Sequence, residues 1–159
     1  MLLALQLRFF MESISFTVKR LAEFFFEGKP DFYTIGYSGR SITKLISILR
    51  DYGVTLVVDV RRFPTSRVED FKRENLRLYL EENGIKYLWL GDKLGGFRSG
   101  GYHKYVESAE FNDGIRRLAE LSKSEVVCIL CLERKPKHCH RRFIAEALEN
   151  MGFKVYHIV

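Results

Sequence analysis

The chain has 159 residues, 47% apolar and 29% charged, with a formal charge of +6. That length suffices for one domain with a real core, and that composition excludes wholesale disorder. The positive charge points to an anionic partner such as nucleic acid, a nucleotide or another phosphorylated molecule, although a basic surface also serves solubility alone. Three cysteines without a secreted-protein spacing indicate a reducing, cytoplasmic setting.

In chain order, "MLLALQLRFFMESISF" has no basic residue before its apolar run and no small-residue cleavage site, so a signal peptide is not expected. Gln6, Arg8 and Glu12 interrupt the run well short of a membrane span, and no membrane partner is expected. Either Met11 is the start, or Leu3, Leu5, Leu7 and Phe9 alternate as a short strand. Ser15 caps a predicted helix with Val18, Leu21, Ala22 and Phe25 on its apolar face, ended by Gly28 with Pro30 beyond. Residues 1–30 read as an appendage to a single domain over 31–159.

A repeating pattern then begins. "DFYTIG" is a short apolar run, and "SITKLISILRDYG" follows with Ile42, Leu45, Ile46 and Leu49 on one helical face. "VTLVVDVR" is a β-branched run of the kind buried on both sides of a sheet. "VEDFKRENLRLYLEENG" predicts a helix with Phe71, Leu76 and Leu80 inward and Gly84 as its stop, and "IKYLWL" a third strand. The glycine-rich "GDKLGGFRSGGYHKY" reads as a loop before a helix around "AEFNDGIRRLAELSK". "EVVCILCLE" is the fourth strand, ending at Glu133, "HRRFIAEALENMG" the last helix and "FKVYHIV" a closing strand. This alternation predicts a three-layer α/β domain, a mainly parallel, five-stranded, Rossmann-like sheet with helices on both faces. In the common order 3-2-1-4-5, the first and fourth strands are neighbours and ligands bind beyond their carboxyl ends.

The carboxyl-end loops hold the chemistry: "GYSGR" (36–40), "DVRRFPTSR" (59–67), "LGGFRSGG" (94–101) and "CLERKPKHCHRR" (131–142). Such loops are delivered to one edge of the sheet, so Ser38, Arg61, Glu133 and Arg141 are expected to line one cavity. Ser41 can cap its helix, which leaves Ser38 free beside Arg40; Arg61, Ser66, Arg67 and Arg141 add further anion donors. Asp59 either belongs to the site or pairs with Arg61 or Arg141. Cys128, mid-strand, reads as core, and Cys128 and Cys131 point to opposite faces of their strand. Cys139 precedes a helix beside His140, Arg141 and Arg142, surroundings that favour a thiolate. It is either a reactive thiol, with Cys131 as resolving partner, or a thiol packed at the sheet edge. Glu133 is a candidate base. Zinc on Cys131, His138, Cys139 and His140 is not expected. Adjacent Cys139 and His140 in a helix would diverge by about 100°, and Lys135 and Lys137 oppose a cation. No cofactor is expected.

"YTIGYS" (33–38), "VVDVRRFPTS" (57–66), "LGG" (94–96), "CLERKPKHCHR" (131–141) and "VYHI" (155–158) together resemble the family called domain of unknown function 488. The resemblance covers roughly residues 32–159. It implies an α/β fold and a site on Ser38, Asp59, Arg61, Pro64, Ser66, Cys131, Glu133, Cys139, His140 and Arg141.

Three functions fit these residues. The first is an enzyme acting on a nucleotide or nucleic acid, with Cys139, His140, Glu133 and Asp59 as catalytic candidates and Tyr37, Ser38, Arg40, Arg61, Ser66 and Arg141 binding an anionic ligand such as phosphate. The second is a non-catalytic nucleic-acid-binding module with Tyr37, Phe97 and Tyr102 stacking on bases. The third is a thiol redox or metal sensor.

Overall fold

Five apolar runs of four or five residues pair into one sheet: β1 (Phe32–Gly36), β2 (Leu56–Asp59), β3 (Lys86–Trp89), β4 (Val127–Cys131) and β5 (Val155–Ile158). The structure, a computed structural model, describes residues 28–159. The N-terminal strand, the Ser15-capped helix and the alternative start at Met11 lie outside the described residues. All four strand pairings are parallel, and the order is β3-β2-β4-β1-β5. This differs from the order 3-2-1-4-5: β4 lies between β2 and β1, although β1 and β4 are indeed neighbours. The uniformly apolar β4 takes the central position, where helices cover both faces and strands cover both edges.

The helices are α1 (Ile42–Asp51), α2 (Arg73–Glu82), α3 (Gly91–Leu94), α4 (Tyr102–Tyr105), α5 (Ala109–Leu121) and α6 (Arg141–Asn150). Ser41 caps α1 by accepting the Lys44 N–H at 3.1 Å, and Gly84, at φ +74°, follows the end of α2 in the left-handed conformation that suits glycine. Helices α1 and α2 pack Leu45, Leu49, Leu76 and Leu80 against Ile35, Val57, Cys128 and Leu130 on one sheet face. On the other, α5 and α6 pack Phe111, Leu118, Ile144 and Leu148 against Val58, Val127 and Ile129. Right-handed crossovers account for this split. The chain runs from β1 past β4 to β2 and β3 through α1 and α2, then returns to β4 and β5 through α5 and α6. The chain therefore leaves β1 and β2 for helices on one face and β4 for a helix on the other, and a crevice opens at the carboxyl end of β4.

Three boundaries differ from expectation. The 91–105 stretch holds the short helices α3 and α4 rather than a continuous loop. Strand β4 ends at Cys131, two residues before Glu133, because the chain turns there across Gly36. The last helix begins at Arg141 after a 3-10 turn over Pro136–His138.

Candidate active site

The loops after β1 and β4 cross in contact. Tyr37 N–H donates to the Cys131 carbonyl at 3.1 Å, and Ser38 N–H donates to that of Leu132 at 2.9 Å. A Cβ on Gly36 would lie 1.8 Å from the Glu133 carbonyl oxygen, so only glycine permits the crossing.

Asp59, at the end of β2, is fully buried. Its carboxylate accepts from the Arg61 backbone N–H at 3.1 Å, from Arg61 Nε at 2.9 Å and Nη2 at 2.7 Å, and from the Tyr87 hydroxyl at 2.6 Å. Arg61 Nη1 donates to the Phe71 carbonyl at 2.7 Å and to Tyr37 Oη at 3.3 Å. Burial alone would lower the Arg61 pKa, but hydrogen bonding to Asp59 and its charge outweigh this and raise it. Arg61 is committed to neighbours that hold the 61–71 loop, and Asp59 is sealed behind it. Arg141 is fully buried too, donating through Nη1 to the Glu133 carbonyl at 2.8 Å and through Nη2 to that of Arg134 at 2.7 Å. It braces the loop that carries Glu133.

Two adjoining compartments result where one cavity was expected. The larger, ≈630 Å³, is lined by Ser38, Gly39, Arg40, Ser66 and Arg67 among others, with no carboxylate among the described residues. The smaller, ≈380 Å³, reaches Arg61, Glu133, Cys131, Cys139 and His140, and shares Tyr37, Thr65 and Leu132 with the first. Arg141 lines neither, because its side chain turns inward to the unpaired carbonyls past β4. In the larger compartment Arg40 Nε donates to the Gly36 carbonyl at 3.0 Å, while the buried Arg40 Nη2 has no hydrogen-bond partner among the described residues. Burial, then the charges of Arg134 and Arg141, lower the Arg40 pKa. Cations therefore crowd this corner. Ser66 Oγ accepts the Val68 N–H at 3.1 Å.

Cys131, Cys139 and His140 meet at the base of the smaller compartment. Their ligand atoms all lie within 4.8 Å of one another. His140 Nδ1 is 3.9 Å from each sulfur, and Glu133 Oε2 is 3.9 Å from Cys131 Sγ. The adjacent Cys131 thiol, aided by the His140 ring and the Arg141 backbone N–H, pulls the Cys139 pKa down against the opposing effect of burial. The proximity of Cys139, then burial, pushes the Cys131 thiol up. Cys128 lies on the opposite face in the apolar core, where burial raises its pKa. The divergence expected for Cys139 and His140 does not occur: Cys139 is extended, at φ −127° and ψ 145°, so helical spacing does not apply to it.

Tyr37 is buried and stacked on Phe71, with ring centroids 4.3 Å apart, and Tyr102 is half-buried with its hydroxyl donating to the Leu94 carbonyl. Of the three expected stacking residues, only Phe97 is open, at 88% exposure. Its neighbour at 6.4 Å is Phe63, 64% exposed and unremarked in the sequence; its signal was an aromatic set between Arg62 and Pro64 in a polar loop. Arg134 and Gly96 were also missed as individual site residues, although each falls in a quoted motif.

Fold and site together define a three-layer α/β protein with a thiol–imidazole centre at the carboxyl edge of its parallel sheet. The family model described as Domain of unknown function DUF488 matches residues 41–101 and 97–148. The chain belongs to this family. No curated protein and no solved structure matches it. No helix among the described residues is long and apolar enough to cross a membrane.

Proposed function

We propose that the chain is a cytoplasmic enzyme acting on an anionic substrate, a nucleotide or nucleic acid, in the two-compartment cleft. The observation that carries this reading is the meeting of two thiols, an imidazole and a carboxylate beside a carboxylate-free, arginine-bearing compartment. Ser38, Arg40 and Ser66 receive the anion, and Arg40 Nη2 is a donor awaiting an acceptor. Cys139, His140 and Glu133 form the reacting end. Tyr37 separates the compartments, while Asp59 and Arg141 act as positioning residues through Arg61 and the Glu133 carbonyl.

A panel of nucleotides and short oligonucleotides followed by thermal shift tests this reading. At least one should raise the melting temperature, and Arg40→Ala should abolish that rise while leaving the unliganded protein folded. A rise that survives Arg40→Ala would remove the anion site as drawn.

The exposed Phe63–Phe97 pair favours a second reading, a nucleic-acid-binding module whose rim aromatics stack on bases. Oligonucleotide affinity that falls steeply with salt and is lost in Phe97→Ala, without turnover, would put it first.

A further inference from the structure

We infer that Cys131 Sγ, Cys139 Sγ and His140 Nδ1 form a binding site for a zinc-class divalent ion, three-coordinate from the protein and open on its fourth side to the ≈380 Å³ cavity. Binding of the ion stands on this geometry, whereas its use in catalysis rests on the function proposed above.

The ligand set and its spacing suit the ion. Zinc bonds of about 2.3 Å to sulfur and about 2.0–2.1 Å to nitrogen, at a tetrahedral angle, separate the two ligand atoms by roughly 3.6 Å. His140 Nδ1 lies 3.9 Å from both sulfurs, a few tenths of an ångström from closing on an ion. The imidazole is also oriented for the task. His140 Nε2 is 3.0 Å from the Val60 carbonyl oxygen, and a carbonyl only accepts, so Nε2 carries the proton. In its neutral form the ring would turn its Nδ1 lone pair to the sulfurs, as a metal-binding histidine does when its other nitrogen is held by the backbone.

Two neighbours keep the site shaped and reachable. A Cβ on Gly96 would stand 3.1 Å from His140 Nδ1, so glycine keeps space beside the ligating nitrogen. Glu133 Oε2, 3.9 Å from Cys131 Sγ, is placed to accept a hydrogen bond from a water on the open side. Three protein ligands with one open position, two sulfurs and one imidazole, is an arrangement found in catalytic rather than structural zinc sites. An ion there polarises bound water, which suits hydrolytic chemistry on a nucleotide. The lysines expected to oppose a cation, Lys135 and Lys137, are exposed, where water and salt screen them.

The test uses the full chain under reducing conditions. Protein expressed with added zinc and freed of loose metal should retain about one zinc per chain, matching one closed set of ligands. After chelation, one equivalent of Co2+ should produce intense thiolate-to-cobalt charge transfer and tetrahedral visible bands. Those bands should weaken or vanish in Cys139→Ser and His140→Gln, and persist in Lys137→Ala and Arg40→Ala. Wild-type protein with three titratable thiols that retains no zinc and gives only the faint spectrum of hydrated cobalt overturns the site, whether or not any variant folds. Nucleotide shifts lost beside an intact cobalt spectrum would instead sink the proposed substrate class and leave the metal site standing.

Discussion

At Asp59, four hydrogen bonds converge on one carboxylate that has no exposure to water. Three come from Arg61, itself 6% exposed, so removing the charge leaves a guanidinium desolvated without its counter-ion. Asp59→Asn should therefore lower the unfolding free energy by about 3–5 kcal/mol, the usual cost of breaking one half of a buried pair. A urea midpoint within error of wild type would mean that Arg61 finds another acceptor. This pairing was legible in sequence, since residues two apart on an extended strand share a face. The thiol centre was legible only in composition. Cys131 and Cys139 are eight positions apart, and what brings them together is a 3-10 turn over Pro136–His138 followed by an extended Cys139. Helical spacing, applied to Cys139 and His140, pointed the wrong way because the helix begins only at Arg141 and Cys139 before it is extended.

Among the described residues β5 pairs only with β1, at the edge of the sheet, and is pinned by a 2.6 Å hydrogen bond between Thr34 Oγ1 and His157 Nδ1. Burial, then the charge of Arg141, lowers the His157 pKa, with Cys139 acting weakly in the other direction. The fold thus disfavours the imidazolium, and the unfolded chain binds the proton more readily. Stability from this group is fully present above the ordinary histidine value of 6.5 and declines as pH falls through the lower folded value. Urea unfolding should show a loss of stability below pH 6.5 that is flattened in His157→Gln; an unchanged slope in that variant would assign the loss to other groups. Among the elements, those with long periodic faces were visible in sequence: α1, α2, α5 and α6. The four-residue α3 and α4 were not, since one turn carries no repeat and glycine at Gly91, Gly95, Gly96, Gly100 and Gly101 argues for a loop.

Two apolar clusters, one on each face, share the same five strands. Leu45 anchors one and Leu118 the other, both fully buried. Because every strand serves both clusters, neither face should melt alone. Leu45→Ala and Leu118→Ala should each cost about 2–5 kcal/mol and shift one common transition, read coincidently by far- and near-ultraviolet circular dichroism. Separate transitions for the two probes would show that the faces fold independently.

From its periodicities alone, the sequence determined a three-layer α/β domain and the edge of the sheet at which its polar and glycine-rich loops gather. A parallel sheet has one carboxyl edge, and the polar and glycine-rich loops all follow strands. The strand order, the division of the cleft into two compartments and the inward turn of Arg61 and Arg141 were decided only in three dimensions. So was the convergence of Cys131, Cys139 and His140. Each depends on contacts between loops far apart in the chain: Gly36 beneath Glu133, Tyr37 between Arg61 and Phe71, and Gly96 against His140. Local patterns give the direction in which a strand delivers its loop. They do not specify which neighbouring loop the side chain will meet there.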